Sequence, residues 1–273
     1  MEKQHKLRKI IIIIVVALLL ALIGFIVYEV ATVNNKYYIG EKNLQIPIFI
    51  YHDIVKDDSE VEFDYMQTTV DTFEEQMTGL LKIGYKPISY EDLVKYKNGE
   101  IAINKWSFLV VFDDGYTGVY DYALPIAIKY NIPMAMFEID DCVGIDGYCT
   151  WDQMKEMKNS GIFSIYSHGY THIEYDKESA EKLVELTNMS YQNIVKNLED
   201  DTILKVFTYP YGLYREDEIE ALEKEGFIQN LTDNKINQSN KLDLSRLHRC
   251  YPLDDSLFKM LLKIHYRSIR YGG

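Results

Sequence analysis

The stretch Ser107-Phe108-Leu109-Val110-Val111-Phe112 runs straight into Asp113-Asp114-Gly115-Tyr116. After its first residue it is apolar on both alternating faces and rich in aromatic and β-branched side chains. That pattern describes a strand covered on both sides, the habit of parallel sheets flanked by helices. An Asp-Asp-Gly turn directly after such a strand sets two carboxylates at its carboxyl end, the edge on which parallel β/α folds build their sites.

Working outward, runs of the same character recur at 46–51 (IPIFIY), 133–139 (PMAMFEI), 162–167 (IFSIYS), 204–209 (LKVFTY) and 227–231 (FIQNL). Helical patterns fall between them at 72–83, 119–130, 151–159, 178–198 and 215–225, several stopped by a glycine such as Gly84 or Gly226. Strands alternating with helices imply an α/β fold with parallel strands. About six or seven such repeats suit a distorted (β/α) barrel better than a small open sheet, with an open doubly wound sheet as the alternative.

Two more polar clusters follow strands directly: Ser167-His168-Gly169-Tyr170-Thr171-His172 after IFSIYS, and Tyr209-Pro210-Tyr211-Gly212 at the end of LKVFTY. Each alone is an ordinary turn. Three of them at corresponding strand ends have no reason to coincide unless they share a site. Two histidines four residues apart and a carboxylate form a donor set that leaves positions open for water and substrate, as catalytic metal sites require. Adjacent residues in an extended segment point opposite ways, so one of Asp113 and Asp114 binds metal and the other handles a proton, unless the turn at Gly115 bends both inward.

The N-terminus carries a different signal. Residues 10–28 (IIIIIVVALLLALIGFIVY) are uncharged and apolar, long enough to cross a bilayer core about 30 Å thick. Lys3, Lys6, Arg8 and Lys9 precede this run and only Lys36 follows closely, which orients residues 1–9 to the cytoplasm and the rest outward. The expected organisation is a cytoplasmic N-terminus (1–9), a single transmembrane anchor (10–28), a tether (29–44) and one catalytic domain (45–273) at the cell surface. A cleaved signal is the alternative.

The formal net charge is −13, and the basic N-terminus leaves the remainder more acidic still. Such a surface repels nucleic acid and anionic polymers and accommodates neutral glycans. Of the three cysteines, Cys142 and Cys149 are near enough to bridge a loop outside the cell, or else are plain thiols. Their spacing is not that of a structural zinc site.

Taken with Ile50-Tyr51-His52-Asp53-Ile54 and the run Trp151-Asp152-Gln153-Met154 to Gly161, these motifs resemble the polysaccharide deacetylases with a NodB-homology domain, carbohydrate esterase family 4. The branch with poly-N-acetylglucosamine deacetylases is the most similar, and the likeness covers most of residues 45–262. The resemblance implies a NodB-like barrel and hydrolysis of N-acetyl groups on a glycan. It implies Asp113 as general base, and Asp114, His168 and His172 as ligands of a divalent metal, zinc first, with cobalt, nickel or manganese as substitutes. Water on the ion would attack the acetamide, with the Tyr211 backbone N–H stabilising the oxyanion. Tyr116, Tyr170, Pro210 and Tyr211 would line the substrate site.

There are departures. Where many members carry an arginine two residues before the motif proline, this chain has Thr208, and no tryptophan motif is recognisable in 232–244. Arg246 is the expected substitute for steadying the base. The general acid is expected to be a late histidine, His248 or His265, with His52 behind the site in support. These departures keep open a second reading, a catalytically impaired glycan-binding or export-assembly protein of the same fold. A hydrolase for small cyclic amides is a third.

Overall fold

The structure is a computed structural model that describes residues 8–21, 24, 37–39, 44–60, 66–252 and 256–271. Each apolar run marked by its pattern is a strand: β1 Ile48–Tyr51, β2 Ser107–Phe112, β3 Met134–Glu138, β4 Phe163–Ser167, β5 Val206–Thr208 and β6 Ile228–Thr232. A seventh, β7 Leu247–Arg249, is too short and too polar for hydrophobic patterning to reveal. Helices α1 Val70–Lys82 and α2 Tyr90–Lys97 lie between β1 and β2. They are followed by α3 Leu124–Tyr130, α4 Trp151–Asn159, α5 Ala180–Leu198 and α6 Glu216–Lys224, with α7 Leu257–Tyr271 after β7. The expected helices at 72–83, 151–159, 178–198 and 215–225 match to within two residues. The one expected at 119–130 opens as a π-helical turn, Val119–Ala123, before α3. The helix α2 was not anticipated.

The seven strands pair in chain order and all in parallel. The ring is drawn shut where Phe49 of β1 meets Cys250: Ile50 N donates to Cys250 O (3.1 Å) and Cys250 N to Ile48 O (2.9 Å). The outcome is a barrel-like sheet rather than an open one.

Because side chains alternate along a strand, each strand serves two cores. Ile48, Ile50, Leu109, Val111, Phe137, Tyr166 and Leu247 fill the barrel interior, and Tyr90 of α2 joins them, donating to Asn230 Oδ1 at 2.6 Å. Phe49, Tyr51, Phe108, Val110 and Phe112 face outward under the helices. Phe112 packs between Phe73 of α1 and Phe163 of β4, with centroids 5.5 and 6.0 Å away. Its neighbour Asp113 is thereby turned to the inner side, at the carboxyl end of the barrel.

Tyr37–Tyr38 pair with Ile103–Asn104, so the domain gathers chain from within the expected tether. Among the described residues no helix is long and apolar enough to cross a membrane. Residues 8–21 are helical with exposed apolar side chains, and most of the remainder of the expected 10–28 span lies outside the described residues, as does most of 29–44. All three cysteines are free, which removes the Cys142–Cys149 bridge. Cys149 is buried, with its thiol against the Tyr116 carbonyl at 3.4 Å.

Candidate active site

At the end of β2 the backbone turns left-handed at Asp114 (φ 72°) and Gly115 (φ 86°). A non-glycine residue at positive φ is uncommon and costs free energy. Here the turn breaks strand alternation, so that both aspartates serve one mouth. A side chain at position 115 would meet the Glu138 backbone of β3 at 3.5 Å, so glycine suits both the conformation and the close approach.

His168 ends β4, its N–H donating to Glu138 O at 2.7 Å. Its Nδ1 lies 2.9 Å from Thr208 O. A carbonyl only accepts, so Nδ1 carries the proton and Nε2 is directed at Asp114 Oδ1, 3.3 Å away. His172 Nε2 reaches the same oxygen at 3.6 Å. One donor atom from each of Asp114, His168 and His172 lies within 4.8 Å of the other two. Three lone pairs facing one another in a largely buried place repel unless a cation lies among them, and an N,N,O set suits a first-row divalent ion. The residues therefore fit a metal.

Burial pushes the Asp114 carboxyl up, but His168, with His52 and His172, outweighs it and holds the group at about 2. Burial pushes the His168 imidazole down, yet Asp113, Asp114 and the Thr208 carbonyl raise it above the ordinary histidine value. His172 is lowered by burial and by His168.

Asp113 is gripped by Arg249 of β7, whose Nη1 and Nη2 donate to its two oxygens at 2.6 and 2.9 Å. Both side chains are buried. Nη2 also donates to Thr232 Oγ1 at 2.7 Å, and the guanidinium lies over the Phe137 ring at 5.7 Å. Burial alone would raise the Asp113 carboxyl, but Arg249, His168 and His52 hold it below the usual carboxylate range. A carboxylate so paired is ionised and oriented, ready to take a proton.

A family model described as polysaccharide deacetylase matches residues 103–229, which hold both aspartates, both histidines and Tyr211. These residues form a polysaccharide deacetylase domain. It is 29% identical over 217 residues to YxkH of Bacillus subtilis (strain 168), whose name assigns it to the same family, covering 77% of this chain and 72% of that one. It is 25% identical over 254 residues to the poly-beta-1,6-N-acetyl-D-glucosamine N-deacetylase of Staphylococcus epidermidis, covering 85% and 87%. Its fold matches the deacetylase PplD of Streptococcus pyogenes, solved in complex with acetate, with a TM-score of 0.73 at 24% identity, covering 82% of this chain and 99% of that one.

In this polysaccharide deacetylase the expected role of Arg246 falls to Arg249. Arg246 lies at the surface, paired with Glu216 and, at 3.3 Å, with Asp243. Alternation along β7 separates the candidates: Leu247 and Arg249 face inward and His248 outward. The His248 Nδ1 sits 2.8 Å from Asp233 Oδ2, on the far side of the strand from Asp113, so His248 is not the general acid. The His265 side chain lies outside the described residues. His52, at the end of β1, stacks on Tyr251 (6.0 Å, 6°), and its charge bears on both aspartates. Burial lowers its pKa, against the pull of Asp113 and Asp114.

The deacetylase keeps Tyr211 in a left-handed conformation (φ 60°), with its ring 4.3 Å from that of His172 and 62% exposed. Pro210 is buried beneath it. Tyr116 borders the mouth, stacked on Tyr148. The half-buried Tyr170 ring packs on the cluster under α5 and α6, bracing the histidine turn.

Proposed function

We propose that this deacetylase is a metal-dependent hydrolase that removes N-acetyl groups from N-acetylglucosamine-containing polysaccharide, cell-wall peptidoglycan or exopolysaccharide. We propose further that it acts outside the cell, tethered by residues 10–28. The observation that carries the reading is the convergence of Asp114, His168 and His172 beside a carboxylate clamped by Arg249. The substrate named for the Staphylococcus epidermidis relative supports a β-1,6-linked polymer, and the basic residues before position 10 support the orientation.

Asp114, His168 and His172 would hold the ion, which when bound polarises a carbonyl and acidifies water. Asp113 accepts the proton of the water that adds to the acetamide carbon, and Arg249 keeps it available as an anion. The Tyr211 N–H is assigned to the carbonyl oxygen as it gains charge. His52 is assigned to relay the proton taken up by Asp113 to the nitrogen as the C–N bond breaks. Acetate and a free amine result. The arginine clamp answers one of the departures behind the non-catalytic reading, since the base is steadied after all.

The test is acetate release from β-1,6-linked N-acetylglucosamine oligomers by the full chain in detergent, before and after chelation, and with Asp113→Asn. A general base contributes about 10²–10⁴-fold, so the variant should lose activity on that scale while retaining metal. Release that is indifferent to both chelation and Asp113→Asn would refute the mechanism.

A further inference from the structure

The segment from Asp140 to Thr150 is strapped across the two loops that carry the proposed ligands. At its start the Asp140 and Asp141 N–H groups donate to Gly169 O and Tyr170 O, at 3.4 and 3.0 Å, in the histidine turn. At its end Thr117 N donates to Gly147 O and Cys149 N to Gly115 O, both at 2.9 Å, in the aspartate turn. Tyr116 and Tyr148 pair as a single antiparallel bridge between these two bonds. Left-handed Gly144 and Gly147 (φ 79° and 86°) turn the segment back on itself.

This strap presents a ring pair beside the catalytic mouth. Tyr148 stacks on Tyr116 at 4.9 Å and 26°, and both are half-buried rather than sealed in a core. The stacking and the backbone bridge together hold the two rings as a pair. Asp114 is close enough to act electrostatically on both tyrosines and on the Cys142 thiol. From Cys142 to Thr150 the segment carries one charged residue, Asp146, in an otherwise strongly acidic chain, and Ile145 stands 54% exposed at its tip. At the His172 ligand, the exposed Tyr211 ring forms a second aromatic wall.

We infer that Tyr148, backed by Tyr116, is a carbohydrate subsite that stacks on the pyranose next to the one being deacetylated, so that the enzyme favours oligomers over a single sugar. A pyranose has an apolar C–H face that packs on an aromatic ring, and a neutral wall avoids the charge that covers most of this chain. The inference rests on the deacetylase reading and extends it to how a polymer lies across the site, from Tyr148 past the ligand cluster to Tyr211.

The experiment compares wild type, Tyr148→Ala, Tyr148→Leu and Tyr148→Phe, all as the full chain, on N-acetylglucosamine monomer and on its β-1,6-linked pentamer. The kcat/KM preference for pentamer over monomer should fall about tenfold in the Ala and Leu variants, through KM, and persist in the Phe variant, which keeps the ring. Pentamer affinity, measured by calorimetry in an Asp113→Asn background, should fall by the same factor when Tyr148→Leu is added. An unchanged preference and unchanged pentamer affinity in the Leu variant would overturn the subsite. Absence of acetate release by wild type would count instead against the deacetylase mechanism, while the calorimetric arm still reads Tyr148.

Discussion

Arg249 closes its two terminal nitrogens on the two oxygens of Asp113, at 2.6 and 2.9 Å, from a strand on the far side of the sequence. Arg249→Met leaves the carboxylate buried without its counter-ion. Breaking a buried pair by removing one partner costs about 3–5 kcal/mol, which denaturant titration will read. The pH profile moves in a direction fixed by the physics. Arg249 is the principal force holding the Asp113 carboxyl below its usual range against burial. Without it the pKa rises, and the acid limb of kcat/KM shifts to higher pH. A limb that stays in place would show that Asp113 is not the titrating base.

Metal binding should compete with a proton on His168. That imidazole is raised by Asp113, Asp114 and the Thr208 carbonyl, against the effect of burial. A ligand nitrogen must shed its proton to coordinate. Zinc affinity is therefore expected to weaken as pH falls through the raised His168 pKa. Calorimetry in two buffers of different ionisation enthalpy should detect proton release. Asp114 has the opposite sign: its carboxyl, held at about 2, contributes stability above the unfolded value of about 3.9 that is lost as pH falls toward 2.

His52 and His248 divide cleanly. His52→Asn is expected to lower kcat by about 10²-fold, since its imidazole bears on both aspartates. His248→Ala should change kcat by less than about threefold, because its partner Asp233 lies on the outer face of β7. Steady-state kinetics on the pentamer decide it, and a large loss with His248→Ala would reverse the assignment.

Gly118 is a packing constraint rather than a conformational one. A Cβ there would lie 2.0 Å from Ile54 O and 2.3 Å from Asp53 Oδ1, in the chain just beyond β1. Gly118→Ala must displace that backbone, at about 1–3 kcal/mol for an overpacked site. For a domain of this size that lowers Tm by about 2–4 °C per kcal/mol. A thermal melt unchanged within 1 °C would contradict it.

The barrel was legible because six strands announce themselves as apolar runs, and the ligand cluster because each of its turns follows one of those runs. β7 was not, since Leu247-His248-Arg249 has no hydrophobic pattern; its alternation becomes visible only once Leu247 is known to face the barrel interior. That omission explains both misplaced roles. With no strand to set inside against outside, nothing pointed past Arg246 to Arg249, and His248 looked as available as His265. For Tyr170 a motif position fixes the backbone of a turn but not the side on which the ring packs.

The ring of strands shuts only when Cys250 docks on β1, and the residue just before it supplies the guanidinium that balances Asp113. In a chain made from its N-terminus, the aspartates and both ligand histidines are synthesised well ahead of their counterweight. A polypeptide ending before Arg249 would own every recognisable motif and still lack a steadied base. On the proposed mechanism, activity would thus report on closure of the barrel, since the base is steadied only by its last strand.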